Sequence, residues 1–210
     1  MIRKAGSVVL SVVAPGALLL ALAGAGVVLA AQPQAKGPAK PLKTPENTAA
    51  LTIKDIMDSR VDPAGDYLFE SVATIADARG VHHKAPRTAR QWAETRRQIQ
   101  VLIDAPDLIT APGRKAAHPD ERSRNPAVEN QPEQIERLIN AERADFVVRA
   151  GRLRDAAKVA MNAAEAKDSK ALFVAISGID KACESCHLHY WYPNDKRAHQ
   201  AAQEEGGIIP

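Results

Sequence analysis

The fold class is decided by residues 133–167, which read EQIERLINAERADFVVRAGRLRDAAKVAMNAAEAK. Apolar side chains return there every three or four residues, and charged side chains fill many of the positions between them. This is the period of an α-helix that has one buried stripe opposite a charged face. The segment therefore predicts one long amphipathic helix. Its buried stripe consists of Ile135, Leu138, Ile139, Phe146, Ala150, Leu153, Ala157, Ala160, Met161 and Ala164.

The N-terminal half of the chain shows the same period. Residues 49–79 predict a first helix, which Pro63 breaks or kinks and Gly80 closes. The apolar stripe of this helix includes Ile75 near its end, and a loop is expected over residues 81–86. Because no run of alternating β-branched residues is convincing, we expect no strand.

A second helix is predicted to begin at Thr88, because Gln91 three residues later completes a capping box. Pro106 is expected to end this helix or to bend its last turn. Residues 111–132 hold four prolines and a glycine among many charges. They are therefore expected to form a long surface connection that contributes nothing to the core.

The last helix is predicted to follow a tight reversal at Asp168 and to run from about Lys170 until Pro193 stops it. Four amphipathic helices, two of them joined by a short turn, predict an all-α protein with the architecture of an antiparallel four-helix bundle. We place this domain at residues 48–193 and expect residues 194–210 to form a flexible polar tail.

The start of the chain has the layout of an export signal. Two basic residues precede 31 uncharged residues that include a dense apolar run and end in small side chains. We therefore predict a signal peptide over residues 1–31. The alternative is an uncleaved anchor, because the apolar run is long enough to cross a bilayer of about 30 Å. Residues 32–47, which are rich in proline and lysine, predict a linker.

The composition excludes several classes of protein. The 210 residues carry 28 Lys and Arg against 25 Asp and Glu, so no large basic excess is present and nucleic acid is not expected as a partner. Two cysteines are too few for a disulfide scaffold. Because only 4% of the residues are aromatic, the core is expected to lack bulk and to have room for another group.

Both cysteines lie in the segment Cys183-Glu184-Ser185-Cys186-His187, a C-x-x-C-H pattern in the last predicted helix. Helix positions three apart share a face, so the two thiols can form thioethers with the two vinyl groups on one edge of a haem. The adjacent histidine can then turn its imidazole to the iron. The pattern predicts one covalent haem c with His187 as the proximal ligand.

Three other interpretations of the cysteine pair are less favoured. A thioredoxin-like dithiol needs a strand-helix context that an all-α chain lacks. A structural zinc site needs a second pair of ligands, and the adjacent Cys186 and His187 are awkward around one tetrahedral ion. A disulfide between residues three apart in a helix would be strained. The export signal adds support for haem, because c-type maturation in bacteria takes place on the exported side.

A C-x-x-C-H pattern this late in a 210-residue chain resembles cytochrome c prime and its low-spin relatives, the class II c-type cytochromes. The segments IMDSRVDPAGDYLFESVATIAD (residues 56–77) and CESCHLHYWYP (residues 183–193) are also similar to a proteobacterial branch of that family. The resemblance implies a haem held between the helices, with His187 proximal and the first helix covering the opposite axial face. Members of the class often pair through two helices, so the resemblance allows a homodimer.

The resemblance also bears on the sixth iron ligand. In electron-transfer members the first helix supplies a methionine, whereas in cytochrome c prime proper it supplies an apolar residue and leaves the iron five-coordinate. Met57 is the only methionine in the first predicted helix, so it is the candidate sixth ligand, with core packing as its alternative role. Met161 is expected to pack in the core.

The expected function is that of a periplasmic mono-haem electron carrier, whose iron cycles between Fe(II) and Fe(III) as it exchanges electrons with redox partner proteins. No nucleophile-base pair or carboxylate constellation indicates an enzyme. The alternative is a five-coordinate haem protein that binds a small gas such as nitric oxide. If the signal is not cleaved, the protein is expected to be anchored to the inner membrane and to face the periplasm.

Overall fold

The computed structural model describes residues 50–78 and 80–204, which belong to one compact unit. The protein is mostly helical, as expected, and carries one small two-stranded sheet. The elements in chain order are helix α1 (Ile53–Ile56), a first π-helical turn (Met57–Val61), helix α2 (Asp62–Ser71), strands β1 (Ala73–Asp77) and β2 (Gly80–Lys84), helices α3 (Ala89–Ile109), α4 (Pro132–Ala141), α5 (Arg143–Glu165) and α6 (Ser169–Cys186), a second π-helical turn (His187–Trp191), and helix α7 (Lys196–Glu204).

The predicted signal peptide and linker, residues 1–31 and 32–47, lie outside the described residues. In the part of the chain that the structure describes, no helix is both long enough and apolar enough to cross a membrane.

Helix α3 packs against α2 and α5, and α5 packs against α6. Helices α5 and α6 form an antiparallel hairpin, in which the Asp168 carboxylate caps α6 by accepting hydrogen bonds from the backbone N–H groups of Lys170 and Ala171, both at 3.0 Å. The tight reversal predicted at Asp168 is therefore confirmed. The largest fully buried side chains of the shared core come from α1, α2, α3 and α6, and they are Ile56, Leu68, Ile99, Leu102, Leu172 and Ile179.

Alanine dominates the buried stripe of α5 and lets its partner helix approach closely. Ala157, Ala160 and Ala164 are buried in the core, as their spacing predicts. A Cβ atom built on Gly178 of α6 would lie 3.9 Å from the Cβ of Ala156. Small side chains on both sides of this contact therefore keep the α5–α6 pair compact and leave the bulk of the core to leucine and isoleucine.

The first helical segment ends earlier than the pattern over residues 49–79 predicts. Helical residues run from Ile53 to Ser71, and Val72 is extended, with φ −130° and ψ 129°. Pro63 does not break this helical segment. It occupies the first turn of α2, where its missing N–H is tolerated, and the π-helical turn directly before it absorbs the change in hydrogen bonding.

Strands β1 and β2 pair as an antiparallel hairpin, so the expectation of no strand was wrong, as was the predicted loop over residues 81–86, most of which lie in β2. Ile75, placed in the helix by its spacing, lies in β1 and pairs with His82 of β2. Gly80 is not a helix cap but begins β2 with φ +118°, a conformation that L side chains rarely adopt. The β-branched residues near this turn, Thr74, Ile75 and Val81, favour strands over helices.

The long helix predicted over residues 133–167 is two helices. Glu142 separates α4 from α5 with φ −118° and ψ 38°, which is outside the helical region. The predicted stripe is also divided between two clusters, and the division falls within the first turns of α5. Ile139 and Phe146 join Tyr190 in a small second cluster, whereas the residues from Ala150 onward belong to the main core.

Two other segments are more ordered than expected. The connection after α3 contributes buried Ala116 and Ala117, and the carbonyl groups of Lys115 and Ala116 accept hydrogen bonds from the first residues of α1 at 2.8 and 2.9 Å. Pro106 does not end α3, which continues to Ile109. Within the tail expected over residues 194–210, α7 is helical and buries Ala202.

The capping box at the start of α3 is confirmed and can be tested. Thr88→Ala removes the side-chain oxygen that accepts the Gln91 backbone N–H at 3.1 Å. We expect the free energy of unfolding to fall by about 1 kcal/mol, measured by chemical denaturation of the purified protein.

The control is Ser177→Ala at an exposed position inside α6, which we expect to leave stability unchanged or slightly higher because alanine is the better helix former. A Thr88→Ala protein as stable as its parent would contradict the capping role.

Candidate functional site

The C-x-x-C-H segment lies where α6 changes into the second π-helical turn. Cys183 and Cys186 occupy the last turn of α6, and His187 is the first residue of the π-helical turn. Both cysteines are free thiols. Burial raises the pKa of each thiol to about 12, so both carry their proton at neutral pH.

Two cavities lie beside His187, with volumes of about 170 and about 270 Å³. They adjoin, because both are lined by Met57, Asp62, Ile109, Cys186 and His187. The smaller cavity is also lined by Cys183 and by apolar side chains of α2, α3, α5 and α6, namely Phe69, Leu102, Leu153 and Ile179. The motif therefore borders an interior space with a largely apolar wall.

Met57 and His187, the two predicted axial ligands, line the same two cavities although 130 positions separate them. Each is also the first residue of a π-helical turn. Such turns insert one extra residue into a helix and recur at functional sites. Met161 lies elsewhere and packs against the main core, as expected.

Asp62 is the acidic residue that both cavities share. It follows directly after the first π-helical turn, and its backbone N–H donates to the Met57 carbonyl. Burial raises the pKa of its carboxyl group, against the electrostatic effect of His187. The first helical segment thus contributes a carboxyl group to both of the cavities that His187 lines.

Arg149 is a buried charged residue that holds the motif to α5. Its Nη1 donates to the Ser185 carbonyl at 2.8 Å, and its Nε donates to the Asp145 carboxylate at 2.5 Å. The Tyr190 hydroxyl donates to the same carboxylate at 3.1 Å. The hydrogen bond from Arg149 lowers the pKa of the Asp145 carboxyl group, so this carboxyl group is ionised at neutral pH.

Sequence reasoning did not identify Arg149, although the signal was present. Arg149 lies three residues after Phe146 and four before Leu153, inside the buried stripe of α5. A charge within an apolar stripe marks a residue that must find a partner in the interior.

The imidazole of His187 is surrounded by side chains from the end of the motif. The Trp191 ring stands edge-on to it at 5.2 Å between centroids. The Tyr192 hydroxyl lies 3.4 Å from Nδ1, and the Glu184 Oε1 lies 3.7 Å from it. His187 and Tyr192 together lower the pKa of the Glu184 carboxyl group against the effect of burial.

Other candidate binding features lie apart from the motif. Glu142, Asp145 and His189 bring three potential ligand atoms within 4.8 Å of one another. These atoms are already engaged, because His189 contacts Glu142 at 2.5 Å and Asp145 binds Arg149. A cavity of about 680 Å³ lies between the start of α1, the end of α3 and the start of α4, and none of the motif residues line it.

Comparison of the chain with protein-family models, with curated proteins and with solved structures returns no match. We therefore infer the function from the residues of the site and from their arrangement.

The role of Arg149 predicts a measurable loss of stability. Arg149→Met keeps the aliphatic stem but leaves the Ser185 carbonyl without this donor and the Asp145 carboxylate without its charged partner. We expect the free energy of unfolding to fall by about 2 kcal/mol in chemical denaturation.

Lys158→Met on the exposed face of the same helix is the matched control, with an expected change within about 0.5 kcal/mol. Equal stabilities of the two variants would show that the buried contacts of Arg149 contribute nothing.

Proposed function

We propose that this protein is an exported mono-haem c-type cytochrome that carries electrons between redox partner proteins. The observation that carries the proposal is the C-x-x-C-H segment at the end of α6, whose histidine lines the same cavities as Met57. The proposed architecture is the antiparallel four-helix bundle of the class II c-type cytochromes. Its four helices would be the α1–α2 segment, α3, α5 and α6, with α4, α7 and the hairpin as additions.

The residues present fit a covalent haem. Two free thiols lie three residues apart on a helix, beside an interior space with a largely apolar wall. Each thioether would form by addition of an S–H across a vinyl group, in which the S–H bond and the vinyl π bond break and one C–S and one C–H bond form, so no oxidant would be needed. Cys183 and Cys186 would hold the haem in this way.

His187 would bind the iron through Nε2, because its Nδ1 faces Tyr192 and Glu184. A bound haem supplies a one-electron Fe(II)/Fe(III) couple. The other roles belong to residues of the chain. Arg149 holds the motif to α5 through the Ser185 carbonyl, and the apolar side chains of the smaller cavity would contact the haem. Met57 is the proposed sixth ligand, because it lines both cavities together with His187.

The proposed location is the periplasm, or the periplasmic side of the inner membrane if the N-terminal segment stays as an anchor. The proposed role is electron transfer without transformation of a substrate. The alternative function, binding of a small gas such as nitric oxide at a five-coordinate iron, differs only in the occupant of the position assigned to Met57.

Covalent attachment is tested by removing both thiols. When the chain is expressed in a bacterium with c-type maturation, we expect its band on a denaturing gel to stain for haem. The Cys183→Ala/Cys186→Ala protein is expected to give no stain, whereas Ser185→Ala, inside the same motif, keeps it. Staining of the double variant, or a parent chain that never stains, would contradict the proposal.

The role of Met57 is tested by optical spectroscopy of the oxidised and reduced protein. We expect a low-spin six-coordinate spectrum for the parent protein. Met57→Leu keeps the volume and removes the sulfur, so it is expected to give a high-spin spectrum and ready binding of carbon monoxide.

Met161→Leu, the same substitution in the core of α5, is the control and is expected to keep the low-spin spectrum. A parent protein that is high-spin, is unchanged by Met57→Leu and binds carbon monoxide would reject Met57 as a ligand and favour the gas-binding alternative.

A further inference from the structure

We propose that Tyr192 and Glu184 act as positioning residues that form a hydrogen-bonded relay on His187, strengthen its imidazole as an iron ligand, and thereby lower the reduction potential of the haem. This inference rests on the proposed function, because it concerns the proximal ligand of the same site.

The relay is built from three side chains at the end of the motif. The Tyr192 hydroxyl donates to the Glu184 Oε1 at 2.7 Å. The same hydroxyl oxygen lies 3.4 Å from the Nδ1 of His187. The Glu184 Oε1 itself is 3.7 Å from Nδ1, which is too long for a direct hydrogen bond. The three polar atoms therefore form a triangle, in which the Tyr192 hydroxyl is the nearer partner of Nδ1 and binds Glu184 at the same time.

The chemistry of the three groups fixes the direction of each hydrogen bond. An ionised carboxylate only accepts hydrogen bonds, so the Tyr192 O–H points at Glu184. The lone pairs of the Tyr192 oxygen are then available to accept the Nδ1–H of His187. This arrangement favours the tautomer in which Nδ1 carries the proton and Nε2 is free for the iron.

The second π-helical turn brings Tyr192 into this position. The Tyr192 backbone N–H donates to the His187 carbonyl at 2.9 Å, a bond that spans five residues rather than four. The extra residue turns the chain so that Tyr192 lies against the residue that opens the turn. In an uninterrupted α-helix, residues five positions apart lie on different faces.

The side chains that form these contacts are partly buried. Only 23% of the His187 side chain and 32% of the Glu184 side chain are exposed, so water competes weakly for the same hydrogen-bond sites. The edge of the Trp191 ring covers the imidazole from another side.

A relay of this kind makes the imidazole a stronger donor to the metal. A stronger donor stabilises Fe(III) relative to Fe(II), so the couple shifts to lower potential. The relay therefore changes the reduction potential through His187. A contact that only stabilised the fold would not change the potential.

The test is a redox titration of the haem-loaded full-length chain, followed by optical absorption. Glu184→Gln removes the charge and keeps the shape, and Tyr192→Phe removes the hydroxyl and keeps the ring. We expect each substitution to raise the ratio of reduced to oxidised haem at a fixed solution potential by up to about tenfold, which corresponds to about 59 mV for a one-electron couple. Because the two groups act in series, the double variant should shift no further than the larger single shift.

Glu142→Gln is the matched control. It removes a carboxylate that contacts His189, two residues beyond His187, and we expect it to leave the potential unchanged. Potentials equal to that of the parent in both single variants would overturn the relay, as would an equal rise in Glu142→Gln, which would indicate a general charge effect. A parent chain without covalent haem would instead overturn the proposed function, and the relay with it.

Discussion

The hydrogen bond from the Tyr192 N–H to the His187 carbonyl closes the second π-helical turn. The C-x-x-C-H segment and the residues packed around it depend on this turn for their arrangement. The turn places Tyr190 against Phe146 at 5.3 Å between ring centroids, in the second core cluster. It also exposes the carbonyl groups of Tyr190 and Trp191 to Asn130, which donates to them at 2.9 and 2.7 Å. One backbone distortion therefore joins the motif, the second cluster and the long connection.

The interior around this turn follows from the distribution of side-chain volume. Alanine on α5 and Gly178 on α6 let those two helices pack closely. On the other side of α6 the large apolar residues of the first helical segment do not fill the interior, and two adjoining cavities remain beside His187. The scarcity of aromatic residues in the sequence is consistent with this arrangement, because a haem would occupy part of the volume that aromatic side chains fill in other cores.

Local signals in the sequence predicted most of the helical segments, the cap at Thr88 and the reversal at Asp168, but not the breaks within the helices. The capping residues Thr88 and Asp168 act through neighbours three residues away or fewer, so their roles could be read from the sequence. The break at Glu142 and the hairpin after Ser71 could not, because periodicity alone does not distinguish one helix from two, or a short exposed strand from a helix end. The motif was identified from its spacing, and spacing also marks Arg149 as a charge within a buried stripe. The partners of Arg149 and Tyr192 depend on backbone geometry that spacing does not encode.

The most direct test of the central claim is the intact mass of the purified protein under denaturing and reducing conditions, after expression with c-type maturation. Denaturation releases any haem held by ligation alone, and thioethers survive reduction. The account predicts a chain heavier than its polypeptide by the mass of one haem. A chain with the mass of the polypeptide alone would contradict covalent attachment at Cys183 and Cys186, and with it the proposed electron carrier.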